Sequence, residues 1–192
     1  MTRNNETDRS PLLKIRGLKT HFFTDEGIVR AVDGVDFEIY AGRTLGIVGE
    51  SGCGKSVTAK SILQIVERPG KIVDGEIIYR AGTDSVKDLL KFEPNGREMR
   101  TVRGGDISMI FQEPISSFSP VHTFGNQIIE AIELHTDLNR NDAYELAVEW
   151  LTRVGIPNPK QRLSEYPYQF GGGQRQRAMI AMALSTNPRV LI

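Results

Sequence analysis

Ile47-Val48-Gly49-Glu50-Ser51-Gly52-Cys53-Gly54-Lys55-Ser56 fits the pattern G-x-x-x-x-G-K-S/T, with Gly49, Gly54, Lys55 and Ser56 at the fixed positions. A polyphosphate needs several donors converging on it. Glycines at 49, 52 and 54 let the backbone curl so that successive N–H groups, including those of Glu50, Ser51 and Cys53, point inward. A following helix adds its positive end. Lys55 brings a point charge to the terminal phosphates, and the Ser56 hydroxyl is a candidate Mg²⁺ ligand. Upstream, the mostly apolar residues 44–48 read as a buried parallel strand. Downstream, Ala59, Ile62, Leu63 and Val66 recur at i, i+3, i+4 and i+7 and predict a helix closed by Pro69 and Gly70. Strand, loop and helix together favour a phosphate site over a turn that binds nothing. The glycine spacing is G-x-x-G-x-G, which excludes the dinucleotide fingerprint.

The chain has 192 residues, enough for one sizeable core or a core with a smaller subdomain. Its 24 basic and 24 acidic side chains cancel, which argues against non-specific nucleic-acid binding. A single cysteine, Cys53, forms no internal disulfide and points to a reducing compartment. Its place in the loop invites a redox reading, but a small side chain that fits there explains it as well. No apolar run approaches the length of a membrane span, and residues 1–10 do not resemble a signal peptide. His21, His122 and His135 lack metal-site spacing and read as surface or turn residues.

Residues 12–18 predict a first strand and 28–32 a second. Val35, Phe37 and Ile39 then alternate with polar neighbours as in a sheet with one wet face. An antiparallel layer therefore precedes the loop. His21, Phe22 and Phe23 form an aromatic cluster in which a ring either stacks on a base or makes a plain core contact. Residues 75–79 predict another strand, 81–96 a polar excursion with an apolar patch at Leu89, Leu90 and Phe92, and 107–111 a strand ending in Gln112, Glu113 and Pro114. Helices follow. One contains Ile128, Ile129 and Ile132 and begins near Gly125 and Asn126. The other carries Ala143, Leu146, Ala147, Trp150, Leu151 and Val154, with Asn141 as N-cap and Gly155 as stop. Gly171, Gly172, Gly173 and Gln174 then open a further helix. Three glycines there are costly to order and make sense if backbone N–H groups approach an anion; taken alone, they read as a flexible hinge. Residues 189–192 form a last apolar strand.

This order resembles the ATP-binding subunit of ABC transporters over essentially the whole chain. Phe170 to Gln174 sits at the family's signature motif, and Ile110, Phe111, Gln112, Glu113 and Pro114 match its Q-loop. Met109 onward, Ser119-Pro120-Val121, Gly125-Asn126-Gln127-Ile128 and the stretch from Met99 to Gly104 look most like the oligopeptide, dipeptide and nickel importers. The resemblance implies an α/β fold: a P-loop NTPase core with an N-terminal antiparallel β layer and an inserted helical subdomain. Residues 1–112 would form the β-rich core, 113–167 the helical part, and 168–192 the signature helix with the start of the Walker B strand. It implies MgATP as ligand, Phe22 as adenine-stacking aromatic, Ser56 and Gln112 near Mg²⁺, and Gly171, Gly172, Gly173 and Gln174 contacting nucleotide held by a second ATPase subunit. Permease subunits and, indirectly, a substrate-binding protein would be partners, with no nucleic acid, at the cytoplasmic face of the inner membrane.

Two departures shape the expectation. Gly171 replaces the signature serine. The chain also reaches Ile192 before the family's Walker B carboxylates, so no catalytic carboxylate is expected within these residues. The 192 residues read as the N-terminal part of a longer ATPase, inactive alone. The rivals are a soluble ABC ATPase of DNA repair or translation, a truncated nucleotide-binding protein and, more distantly, a small-molecule kinase.

Overall fold

In the computed structural model, which describes residues 10–82, 85–113 and 117–192, Leu13, Ile15, Leu18 and Thr20 point inward from strand β1 (Leu13–Thr24). The inward set changes parity between Ile15 and Leu18. Gly17, at φ 53°, sits in a register irregularity there, and the extra residue rotates the following side chains onto the core face. A tight turn joins Thr24 to Gly27, with the Thr24 hydroxyl donating to the Gly27 carbonyl at 2.9 Å. The two strands expected at 28–32 and 35–39 are one strand, β2 (Gly27–Ile39). Gly34, at φ 82°, lies near a register shift inside it and reads in the sequence like a break. Strand β3 (Gly70–Arg80) pairs with the other side of β1, and β4 (Val86–Asp88) closes an antiparallel sheet of order β2-β1-β3-β4.

Helix α1 (Lys55–Ile62) buries Thr58, Ser61 and Ile62, and the Thr20 and Ser61 hydroxyls meet at 2.8 Å in the interior. The helix stops earlier than its apolar spacing suggests because Gln64 turns left-handed, at φ 51°. The Gln64 side-chain amide donates to the Leu89 carbonyl and, at 3.3 Å, to that of Phe92. The part of the stretch 81–96 around Leu89 and Phe92 is thus held to the core rather than being an excursion from it. Leu89, in a single 3₁₀ turn (Leu89–Lys91), is fully buried.

Residues 44–48 form no strand, contrary to expectation. Leu45, Ile47 and Val48 are 43%, 50% and 93% exposed. A strand exists only through its neighbours' hydrogen bonds, and this segment pairs with none of the described strands.

The chain divides into two compact units, Met1–Met99 and Arg100–Ile192. After α2 (Arg97–Val102), the second unit begins with β5 (Ile107–Ser108), shorter than the 107–111 expected. It pairs in parallel with β6 (Val190–Leu191), and the Ile192 N–H to Ser108 O and Ile110 N–H to Ile192 O bonds, at 2.9 and 2.8 Å, carry the pairing outward. Parallel strands need a long crossover, which here, among the described residues, runs through four α-helices. These are α3 (Phe124–His135), α4 (Arg140–Arg153), α5 (Pro159–Arg162) and α6 (Gly172–Ser185). Ile128, Ile132, Ala143, Ala147, Leu151, Ala178 and Met179, from α3, α4 and α6, face one another in a common core. Burial of each large apolar side chain contributes roughly 2 kcal/mol. Trp150 packs half-buried against this core, with the Arg153 guanidinium 5.0 Å over its ring.

The helix starts are set by local chemistry. Thr123 caps α3 by accepting from the Asn126 N–H. Asn139, and not Asn141, caps α4, its Oδ1 accepting from the N–H groups of Asn141 and Asp142 at 3.0 and 3.1 Å. Gly155, at φ 74°, follows the end of α4 as read. Of the histidines, His122 lies in a loop, whereas His21 belongs to β1 and His135 ends α3, both half-buried in regular structure rather than on turns.

Candidate functional site

The loop from Gly49 to Gly54 owes its path to three glycines. Gly54 is the N-cap of α1 in the left-handed region, at φ 92°, and a Cβ there would lie 2.2 Å from the Ala31 carbonyl oxygen. Gly52 is left-handed as well, at φ 85°, and a Cβ on Gly49 would meet the Cys53 sulfur at 2.6 Å. The loop is consequently drawn tight over itself and seated on the bulged part of β2. Lys55 folds back across it, with Nζ donating to the carbonyls of Gly49 and Glu50 at 2.7 Å each and lying 3.4 Å from Cys53 Sγ. Ser56 is exposed beside it in the first turn of α1, while Thr58 closes that turn from its N–H and hydroxyl onto the Gly54 carbonyl. A curled loop at a helix start, with exposed backbone and a lysine clasped over it, has the donor types that an anion such as phosphate requires.

The residues also fit the metal that such a ligand brings. Among the described residues no cluster of three or more His, Cys, Asp or Glu side chains offers a protein cage. The exposed Ser56 hydroxyl could serve as the protein ligand to a Mg²⁺ ion arriving with a phosphate group.

Phe22 lies in β1 opposite Val29 and Gly70. A Cβ on Gly70 would come within 2.8 Å of its ring, so Phe22 uses part of its surface in a core contact and keeps the rest accessible. Phe23 is more open, with the Lys71 ammonium 5.7 Å from its ring centre.

In the second unit, Gln112 and Glu113 follow the β5 ladder and are exposed, and Pro114 lies outside the described residues. Gly171, Gly172 and Gly173 are exposed at the start of α6. Gly171 is the N-cap, in ordinary extended conformation at φ −66° and ψ 158°, and no side chain caps the helix. A Cβ on any of the three would meet nothing within 4 Å. Gln174 is half-buried behind them. Arg175 stands in the Gln-Arg-Gln-Arg run near the start of α6, to which the sequence assigns no individual role, and its Nε donates to the Phe170 carbonyl at 2.8 Å. Its place, four residues after an N-cap that has no side chain, is the signal that could have found it.

Burial lowers the pKa of His135, and nearby Asp106 partly opposes this. The imidazole lies against Gly104 and Gly105, where added Cβ atoms would approach it to 3.0 and 2.9 Å.

The family described as ABC transporter matches residues 32–192. The chain is 50% identical over 182 residues to the probable peptide ABC transporter ATP-binding protein y4tR of Sinorhizobium fredii, covering 94% of this chain and 52% of that protein. It is 46% identical over 184 residues to the oligopeptide transport ATP-binding protein AppD of Bacillus subtilis, covering 95% and 54%. The chain thus spans about half the length of the curated relatives it matches. Among solved structures, the dimeric ATP-binding cassette MJ0796 bound to ADP and Pi shares the fold, with a TM-score of 0.78 at 23% identity over 93% of this chain and 72% of that one.

Proposed function

The chain belongs to the ABC transporter family, and from that premise we propose that it carries the nucleotide-binding machinery of an ATPase subunit that powers peptide import through a membrane permease. The observation that carries the reading is the loop itself: a left-handed Gly54 at the start of α1, with Lys55 clasped over the Gly49 and Glu50 carbonyls. Peptides are favoured over nickel as cargo because the relatives described above are named for peptide transport.

On this reading, residues 1–112 form the β-rich core, 113–167 the helical subdomain, and 168–192 the signature helix. ATP is the substrate. Backbone N–H groups of the loop from Gly49 to Gly54 bind its phosphates, and Lys55 exchanges its carbonyl partners for phosphate oxygens. Phe22 stacks on the base with its accessible surface. Ser56 and Gln112 are the side chains that would hold Mg²⁺, which would supply positive charge against the terminal phosphates. Gly171, Gly172, Gly173 and Gln174 contact nucleotide held by a second ATPase subunit, through backbone donors alone because Gly171 has no hydroxyl. The subunit acts peripherally at the cytoplasmic face of the membrane, with permease subunits as direct partners and a substrate-binding protein as an indirect one. Among the described residues no helix is long and apolar enough to cross a membrane.

The test is phosphate release by the full-length subunit assembled with its permease, with and without peptide. Lys55→Ala is expected to lower turnover by about 100-fold or more. Turnover that survives this change sinks the reading.

A further inference from the structure

We propose that Arg175 is a positioning residue that fixes the direction of the Gly171 N–H at the start of α6. The inference rests on reading that helix start as the contact to nucleotide held by a second subunit. A helix entrance is ordinarily held by an N-cap side chain and by packing between the residue before the cap and the fourth helical residue. In α6 the cap, Gly171, has no side chain to offer. The residue before it is Phe170 and the fourth helical residue is Arg175, and a hydrogen bond joins them: Arg175 Nε donates to the Phe170 carbonyl at 2.8 Å. The Arg175 backbone N–H donates to the Gly171 carbonyl at 3.0 Å. The second bond is the ordinary helical one, open to any residue, so the side chain's own contribution is to hold the carbonyl that precedes the cap.

The rest of Phe170 is anchored independently. Its ring is 2% exposed, 4.0 Å from that of Phe124 and under the Arg162 guanidinium at 5.4 Å, and its N–H donates to the Pro167 carbonyl at 3.2 Å. What Arg175 adds is the orientation of the peptide plane between Phe170 and Gly171, which a glycine does little to restrain. The charge pattern agrees with this role. The first turn of α6 has no acidic residue, and a cation stands at its fourth position, the reverse of what the helix dipole favours. Helix stability alone does not account for an arginine there, whereas a task at an anion-facing helix start does.

The test uses the full-length subunit assembled with its permease and partner ATPase subunit. Arg175→Ala is expected to lower kcat for ATP about tenfold. The affinity of the monomeric subunit for a fluorescent ATP analogue, which reports the phosphate loop alone, is expected to stay unchanged. Arg175→Lys should recover part of the loss, since an ammonium reaches a carbonyl without the fixed plane of a guanidinium. In a Gly171→Ser background, where a hydroxyl caps α6 directly, Arg175→Ala should cost less than about threefold. Equal losses in the two backgrounds, an unchanged kcat, or an analogue affinity that falls in step with kcat overturns the proposal. If Arg175→Ala does not fold, the Arg175→Lys pair in the same two backgrounds decides by the same criteria. Lys55→Ala separates the two levels: turnover that survives it removes the ATPase reading, while its loss together with a null Arg175 series removes only this inference.

Discussion

The two glycine-rich helix starts of this chain look alike in sequence and differ in cause. Before α1, glycine is demanded by the fold itself: Gly54 is left-handed, and a side chain there would collide with the Ala31 carbonyl. Before α6, Gly171 has ordinary extended angles, and open space surrounds all three glycines. Nothing within the described residues requires them. Glycine at the first site shapes a loop, and at the second it leaves backbone uncovered.

The sharpest way to break this comparison is a pair of substitutions in the full-length subunit, read as urea midpoints. Gly54→Ala should destabilise by about 3 kcal/mol, from backbone strain and the 2.2 Å collision together. Gly172→Ala should instead stabilise by up to about 1 kcal/mol, the ordinary helix preference of alanine, while lowering ATP turnover in the assembled transporter. Similar stability losses at both sites would show that the second helix start is also built into the fold.

A smaller effect contrasts a capped helix with an uncapped one. Asn139→Ala removes the two bonds that start α4 and should cost about 1 kcal/mol in the same unfolding measurement. Gly171→Ser should gain only a few tenths of a kcal/mol, because glycine is itself a tolerable cap. A large gain there would mean that the start of α6 is poorly formed.

The smallest effect concerns Gly104 and Gly105, which admit His135 at close range. Burial lowers the folded-state pKa of His135 below its ordinary 6.5, so the unfolded chain binds the proton more readily. Its contribution to stability is therefore complete above about pH 6.5 and declines as the pH falls from there through the folded value. The urea midpoint should drop slightly between pH 7 and pH 5, and His135→Gln should remove that part of the slope. An unchanged slope would assign the pH dependence to other groups.

Much of the site was legible because its chemistry is local. The spacing of Gly49, Gly54, Lys55 and Ser56 announces a curled backbone followed by a helix, and both are found. Apolar stripes at Ile128, Ile129 and Ile132 and at Ala143, Ala147 and Leu151 likewise mark α3 and α4, because each helix must bury one face. The errors fell where a neighbour decides. Residues 44–48 have the composition of a buried strand but no paired strand among those described. The cap of α4 moved two residues because only geometry tells which asparagine oxygen reaches free N–H groups.

By itself, then, the sequence determined the family, the phosphate loop and the helical stripes, since periodicity and glycine spacing constrain the chain within a few residues of each position. Tertiary structure alone decided that Gln64 ties Leu89 and Phe92 to the core, that Lys55 rests on its own loop, and that Arg175 holds the Phe170 carbonyl. Each of these depends on where a flexible polar side chain finds its partner, and that is settled only when the backbone around it has closed.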